Sequence, residues 1–293
     1  MQTFKPKREL RRSSLAVRGV DYSICEWGEP GAQKVFALHG WGDAAATFQS
    51  FADELEGWHV IAPDWRGFGE SHLRASAYWF PDYLADLDVV LAHYSPDTPV
   101  VLMGHSMGGN IASLYAGSLP ERVSHLINVE GFGLGERDPG DAPANYRRWI
   151  ETSSQQVGYR DFDSFAGLEA TIRRRSPNMS EAYAAFVARA WGEQQDDGTV
   201  MIKADPAHKL PNPVLYRRAE SEACWRQISA RVLVVSGSQS DFKAAAANWV
   251  GSTEEDVALP GARQVDIADA GHMIHFEQPA ALAAVVEEFL AAG

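Results

Sequence analysis

Residues Val100–Gly109 read VVLMGHSMGG: an apolar run, then Gly-His-Ser-Met-Gly, then a stretch able to continue as a helix. A strand that turns into a helix this abruptly leaves no room for side chains on either side of the bend. Glycine at Gly104 and Gly108 removes them. Ser106 is then expected at the apex, strained, with its hydroxyl lifted above the end of a sheet. Strain of this kind collects at functional sites. A pattern of five residues is only a hypothesis until its surroundings agree, so the rest of the chain has to supply the context.

That context is a sheet of parallel strands. Short β-rich apolar runs recur at Val35–Leu38, Val60–Ala62, Val100–Met103, Leu126–Val129, Val232–Val235 and Val265–Ile267, with helical stretches between them. Continuous apolar runs alternating with helices predict strands buried on both faces. Val17–Glu26 reads as an antiparallel hairpin region ahead of them. The helices are amphipathic: Ala45–Leu55 (Phe48, Phe51, Leu55), Tyr83–Tyr94 (Leu84, Leu87, Val90, Leu91), Asn110–Leu119, and Pro279–Leu290 with a stripe of Leu282, Val285, Val286 and Phe289. These stripes read as core.

The alternation breaks between about Gly133 and Trp225. Helical patterns at Asn145–Gln156, Asp163–Arg174 and Ser180–Trp191 are followed by a loop-like stretch, Gly192–Pro213, with no parallel-strand signal. Residues 1–132 and 226–293 are therefore expected to form the core, and residues 133–225 a helical cap above the sheet. Its aromatic residues Tyr146, Trp149, Tyr159, Phe162, Phe165, Phe186 and Trp191 either line an apolar pocket or pack the cap's own interior. Trp149, Phe132 and Trp191 are the candidates for substrate contact.

A chain of 293 residues with 45% hydrophobic composition can bury such a core. A net charge of −13 argues against nucleic acid or an anionic membrane as the main partner. The basic cluster Lys5, Lys7, Arg8, Arg11 and Arg12 is followed by no apolar segment of signal-peptide type, and reads as a solvated tail. Cys25 and Cys224 are far apart and fit unpaired thiols in the cytoplasm. No phosphate loop or dinucleotide motif occurs, so no cofactor is expected.

A serine hydroxyl becomes a nucleophile only when a base takes its proton. Of nine histidines, His272 is best placed: Asp269-Ala270-Gly271-His272 follows the last strand run and precedes the closing helix. His275, three residues on, reads as a residue at the pocket edge or helix start. It forms no metal pair with His272, because the local pattern offers no third ligand. Leu38-His39-Gly40-Trp41-Gly42 follows the first parallel strand, and its glycines let backbone approach a substrate carbonyl. The N–H groups of Trp41 and of Met107, directly after the serine, are the candidate oxyanion donors. His39 reads as a brace for that loop.

Taken together, Val35–Gly42, Pro63–Ser71, Gly104–Gly109 and Ala270–His272 resemble the α/β-hydrolase superfamily, in its serine esterase-like branch. The resemblance covers most of the chain outside the cap. It implies an eight-stranded, mostly parallel sheet flanked by helices, a helical cap after the sixth strand, and the chain order serine, acid, histidine. It also implies that the loop Asp64–Ser71 is structural and its charges paired. Haloalkane dehalogenases and epoxide hydrolases of the superfamily carry aspartate at the bend, so serine here points away from them.

The acid has two candidates. The superfamily most often draws it from the loop after the seventh strand, where Ser236-Gly237-Ser238-Gln239-Ser240-Asp241 stands with one residue more than the commonest spacing. Other members place it after the sixth strand. Glu130 sits there in Glu-Gly-Phe-Gly, as in a group of bacterial hydrolases that this chain resembles. An ionised group closing a buried apolar strand needs a partner or a function, so Glu130 is preferred and Asp241 is the alternative. The expected activity is hydrolysis of a small-molecule acyl substrate, a carboxylic ester first. Lactone, carbon–carbon bond or haloperoxidase chemistry at the same site, or a non-catalytic ligand-binding role, are the alternatives.

Overall fold

The computed structural model describes residues 3–71, 74–247 and 259–292. Eight strands form one sheet: β1 (Arg11–Val17), β2 (Val20–Trp27), β3 (Gln33–Leu38), β4 (Trp58–Pro63), β5 (Val100–His105), β6 (Val123–Val129), and, after a long excursion, β9 (Arg231–Gly237) and β10 (Arg263–Ile267). Their order is β1-β2-β4-β3-β5-β6-β9-β10. Strand β2 pairs antiparallel with both of its neighbours, and every other pairing is parallel. The chain leaves β3 for β4 on one side and returns to β5 on the other. Such a reversal opens a crevice at the carboxyl ends of the strands, where ligands bind in open α/β sheets.

Helices cover both faces, as the apolar strand runs require. One face packs against α2 (Phe80–Tyr94), α3 (Met107–Ser118) and α7 (Arg218–Trp225), with Leu87, Val90, Ile111, Tyr115 and Trp225 in the core. The other packs against α1 (Gln49–Glu54) and α10 (Pro279–Ala291), through Phe51, Leu282, Val286 and Phe289. The short α8 (Asp241–Ala247) and α9 (Ile274–Glu277) follow β9 and β10. Helix α3 starts directly after Ser106, earlier than the hydrophobic stripe suggests. Ala45–Phe48 is a 3-10 turn feeding α1.

Between β6 and α7 the chain leaves the sheet to form α4 (Ala142–Ser153), α5 (Phe165–Arg175) and α6 (Glu181–Trp191). The hydroxyls of Ser164 and Ser180 cap the last two of these. Phe162, Phe165, Phe186 and Trp191 pack around a separate apolar cluster of Leu168, Ile172, Tyr183 and Val187. The segment is tied to the core by Tyr183 Oη, which donates to the Thr47 carbonyl (2.6 Å), and by Trp191 Nε1, which donates to Asp43 Oδ1 (2.7 Å). Helix α7, at the end of the same sequence stretch, packs on the core instead: a side chain at Gly117 of α3 would run into the Cys224 backbone.

Two expectations need correction. Gly192–Pro213 is not all loop, because Gly192–Gln194 (β7) and Val200–Ile202 (β8) pair as an antiparallel ribbon. Strands this short leave no periodic signal. The basic N-terminal segment is not a free tail. Arg11 and Arg12 belong to β1, whose hairpin turn is Arg18-Gly19, both at positive φ. Ahead of it, Lys7 Nζ pairs with Glu54 (2.7 Å), and the Arg8 amide donates to Asp53 (2.9 Å). The cations meet the acidic end of α1. Cys25 and Cys224 are both free. No helix among the described residues is long and apolar enough to cross a membrane.

Candidate active site

The bend between β5 and α3 is as tight as the glycines imply. A Cβ at Gly104 would overlap the Gly108 carbonyl, and one at Gly108 would overlap the Leu38 carbonyl. Ser106 sits at φ 52°, ψ −114°, outside the regions open to an ordinary side chain. Its amide donates to Val129 O (2.8 Å), which ties the apex to β6. A Gly108→Ala substitution should therefore separate the bend from the β3 loop, leaving soluble expression or turnover at least tenfold lower. Soluble yield, circular dichroism and hydrolase activity of the purified variant check this.

The loop after β3 lies against the same bend. A Cβ on Gly40 would fall 3.2 Å from Ser106 Cβ, so the backbone just ahead of Trp41 lies directly against the serine. Gly42 is at φ +74°, and the Asp43 amide closes the turn on Gly40 O (3.3 Å). The Trp41 indole is half exposed and contacts Phe68 edge-on. Met107 is the first residue of α3, where amides have no partner within the helix. His39 is buried and braces the loop: its Nδ1 hydrogen-bonds Gly40 O (2.7 Å), and its Nε2 accepts from the Trp65 amide (2.9 Å). Asp64 accepts from the amides of Ala45 (2.6 Å) and Glu70 (3.1 Å), and Arg66 pairs with Asp86 (2.5 Å).

Glu130 is the residue that the structure brings to His272. It follows β6 at φ 58°, in a turn pinned by Asn128, whose amide group bonds both the N–H (2.8 Å) and C=O (2.9 Å) of Gly131. Its side chain is fully buried. Oε2 lies 2.9 Å from His272 Nδ1 and accepts from Ser240 Oγ (2.5 Å). Oε1 accepts from the Gly237 amide (2.8 Å). Asp241 is exposed at the start of α8 and makes no contact with His272 among the described residues. The loop after β9 serves the site through its neighbours instead: Ser240 holds Glu130, and the Phe242 ring stacks on the His272 imidazole (centroids 4.0 Å apart, planes at 19°). No sequence rule singles out either residue.

The His272 loop is docked on the bend from above. The His272 carbonyl accepts from His105 Nε2 (2.9 Å), and the Gly271 amide donates to Glu277 Oε2 (2.6 Å). Nδ1 is committed to Glu130, which leaves Nε2 as the ring nitrogen not engaged by the carboxylate. The Ser106 hydroxyl makes no hydrogen bond to His272 among the described residues. In sites without substrate this contact is often long. His275 is at the start of α9, as expected, but fully buried rather than at a pocket edge. Phe132 is buried, and Trp149 is half-buried on α4.

A strained serine between a helix start and a glycine loop, beside a carboxylate-held imidazole, is the arrangement of a nucleophilic hydrolase on an α/β sheet. A family profile described as alpha/beta hydrolase fold matches residues 35–279, and the chain belongs to that family. It is 24% identical over 285 residues to a serine hydrolase-like protein of Danio rerio, covering 90% of this chain and 83% of the relative. Lipase 1 of Psychrobacter immobilis is 32% identical over 140 residues, 46% of this chain and 43% of that enzyme. The solved thioesterase domain from the curacin biosynthetic pathway matches with a TM-score of 0.83 at 25% identity, covering 96% of this chain and 99% of that one.

Proposed function

We propose that this chain is a serine hydrolase that cleaves a small carboxylic ester. The observation that carries the reading is the 2.9 Å contact between His272 Nδ1 and buried Glu130, on a loop docked against the strained Ser106. In this reading Ser106 Oγ attacks the acyl carbon as His272 Nε2 takes its proton. Glu130 fixes the tautomer and stabilises the imidazolium. The oxyanion leans on the N–H groups of Trp41 and Met107, each worth roughly 3–4 kcal/mol. His272 then protonates the leaving alcohol, the acyl group stays on Ser106, and water repeats the sequence in reverse.

The segment 133–217 acts as the cap. Phe132 and Trp149 are proposed to meet the acyl portion. Trp191, whose indole N–H is held by Asp43, acts through docking of the cap. The lipase relative supports an ester, and the thioesterase neighbour makes thioesters the next class to try. The two free thiols favour the cytoplasm. A panel of p-nitrophenyl esters, acyl thioesters, lactones and amides tests the reading, alongside a fluorophosphonate probe. Labelling of Ser106 with ester turnover is the expected result. Absence of labelling in folded protein favours a ligand-binding role, and turnover of another bond with no ester cleavage reassigns the substrate.

A further inference from the structure

Behind the His272 loop, three buried side chains from three separate segments meet. Asp43 ends the loop after β3, His105 ends β5 and His275 lies in α9, none more than 3% exposed. One ligand-capable atom from each lies within 4.8 Å of the others. The hydrogen bonds locate the protons. The His272 carbonyl can only accept, so His105 Nε2 carries the hydrogen. Burial, reinforced by His275 and His272, holds His105 well below the usual histidine range. Its ring is neutral, and Nδ1 is a bare lone pair. His275 Nε2 lies 3.3 Å from Asp43 Oδ2 and donates to it. The Nδ1 atoms of both rings are buried with no hydrogen-bond partner among the described residues.

Asp43 is equally prepared. Oδ1 is saturated by the Ala44 amide, Thr47 Oγ1 and Trp191 Nε1, while Oδ2 has only His275. Burial opposes its ionisation, yet His275, His39 and Trp191 together hold its carboxyl below the usual range. The cluster therefore offers one carboxylate and two histidine rings, all buried. Buried polar atoms without partners call for an explanation, such as an ion or an ordered water.

We propose that Asp43, His105 and His275 bind one divalent transition-metal ion of the Zn2+ class, and that binding shuts the neighbouring serine site. Two nitrogens and one oxygen suit Zn2+, Co2+ or Cu2+ and not Ca2+ or Mg2+, which want shells of oxygen. Ligand bonds of about 2.0–2.2 Å require the three atoms to draw in from their present spacing. His105 cannot move freely: its Nε2 holds the His272 carbonyl, and Gly40 backbone lies against its Nδ1, where a Cβ would come within 3.0 Å. Drawing the ring toward a metal shifts both the His272 loop and the Trp41 turn. His105 coordinates through Nδ1 while keeping its Nε2 hydrogen on the His272 carbonyl. The proton that His275 Nε2 now donates to Asp43 shifts to Nδ1 or is released to solvent as the metal takes its place. The ligands are spread over positions 43, 105 and 275, a separation no local motif displays.

The inhibition rests on the hydrolase reading; the binding does not. The test uses the full chain, stripped with EDTA and titrated with Co2+ and Zn2+. The expected results are one Zn2+ per chain by elemental analysis, an intense visible Co2+ spectrum of tetrahedral type, and ester turnover falling at least tenfold and recovering with chelator. His275→Gln and Asp43→Asn should each weaken binding at least tenfold, while His272→Ala should bind as the unaltered protein does. The proposal is overturned by no stoichiometric metal, by a weak octahedral Co2+ spectrum, or by binding lost only in His272→Ala, which would put the ion on the His272–Glu130 pair. The Co2+ spectrum of the unaltered chain decides the matter even if a variant fails to fold. Stoichiometric binding without inhibition keeps the site and overturns the switch.

Discussion

A Ser106→Ala variant is expected to keep its fold and lose turnover by about 10^4- to 10^6-fold, the scale on which removing an activated serine acts. The variant removes one hydroxyl that makes no hydrogen bond among the described residues, so no described partner in the site has to rearrange. A companion change sharpens the test. Ser106 stands at φ 52°, ψ −114°, a conformation that costs a side chain on the order of 1–3 kcal/mol. Ser106→Gly should lose turnover equally and, by relieving that strain, melt at a higher temperature than Ser106→Ala. Initial rates on a p-nitrophenyl ester and thermal unfolding of the three proteins read both effects. An alanine variant that hydrolyses at the unaltered rate would sink the mechanism. A glycine variant no more stable than the alanine one would show that the bend is held without strain.

The second large effect belongs to Glu130. Glutamine there should lower kcat by about 10^3- to 10^4-fold, as expected when the imidazole loses the carboxylate that sets its tautomer. The geometry makes this severe. Both oxygens of Glu130 accept: Oε1 from the Gly237 amide, Oε2 from Ser240 and His272. A glutamine must turn its NH2 toward one of these donors, at a side chain that is fully buried. Asp241→Asn, on the exposed start of α8, should change kcat by less than about twofold, as surface substitutions away from a site do. Steady-state kinetics on the two variants, normalised to fluorophosphonate-reactive sites, distinguishes them. A large loss confined to Asp241→Asn would reverse the assignment of the acid.

The parts legible in the sequence were those written in local pattern. Apolar runs marked the parallel strands because both faces of those strands are buried, and Gly104 and Gly108 marked the bend because only glycine fits it. The choice between Glu130 and Asp241 was harder. It turns on a left-handed residue after β6 and on Asn128 bracing Gly131, neither of which has a periodic signature. Phe242, stacked on His272, and Ser240, bonded to Glu130, were invisible for the same reason: their partners lie more than a hundred residues away or across a loop. The N-terminal segment misled because its cations were weighed alone. The acidic residues Asp53 and Glu54 that receive them belong to a different part of the chain. Cap aromatics could be named but not sorted, since packing an interior and lining a cavity require the same residue types.

Docking of the N-terminal segment carries a practical corollary. Phe4 packs edge-on against Tyr183 and tilted against Phe186, with ring centroids 4.8 and 5.2 Å apart, while Lys7 and Arg8 hold α1 a few residues further on. The first few residues thus stitch α6 to the body of the protein from outside the sheet. Trimming them, or crowding them with a bulky fusion partner, would remove or disturb these contacts to α6 and α1, so handles for purification or immobilisation belong at the opposite end of the polypeptide.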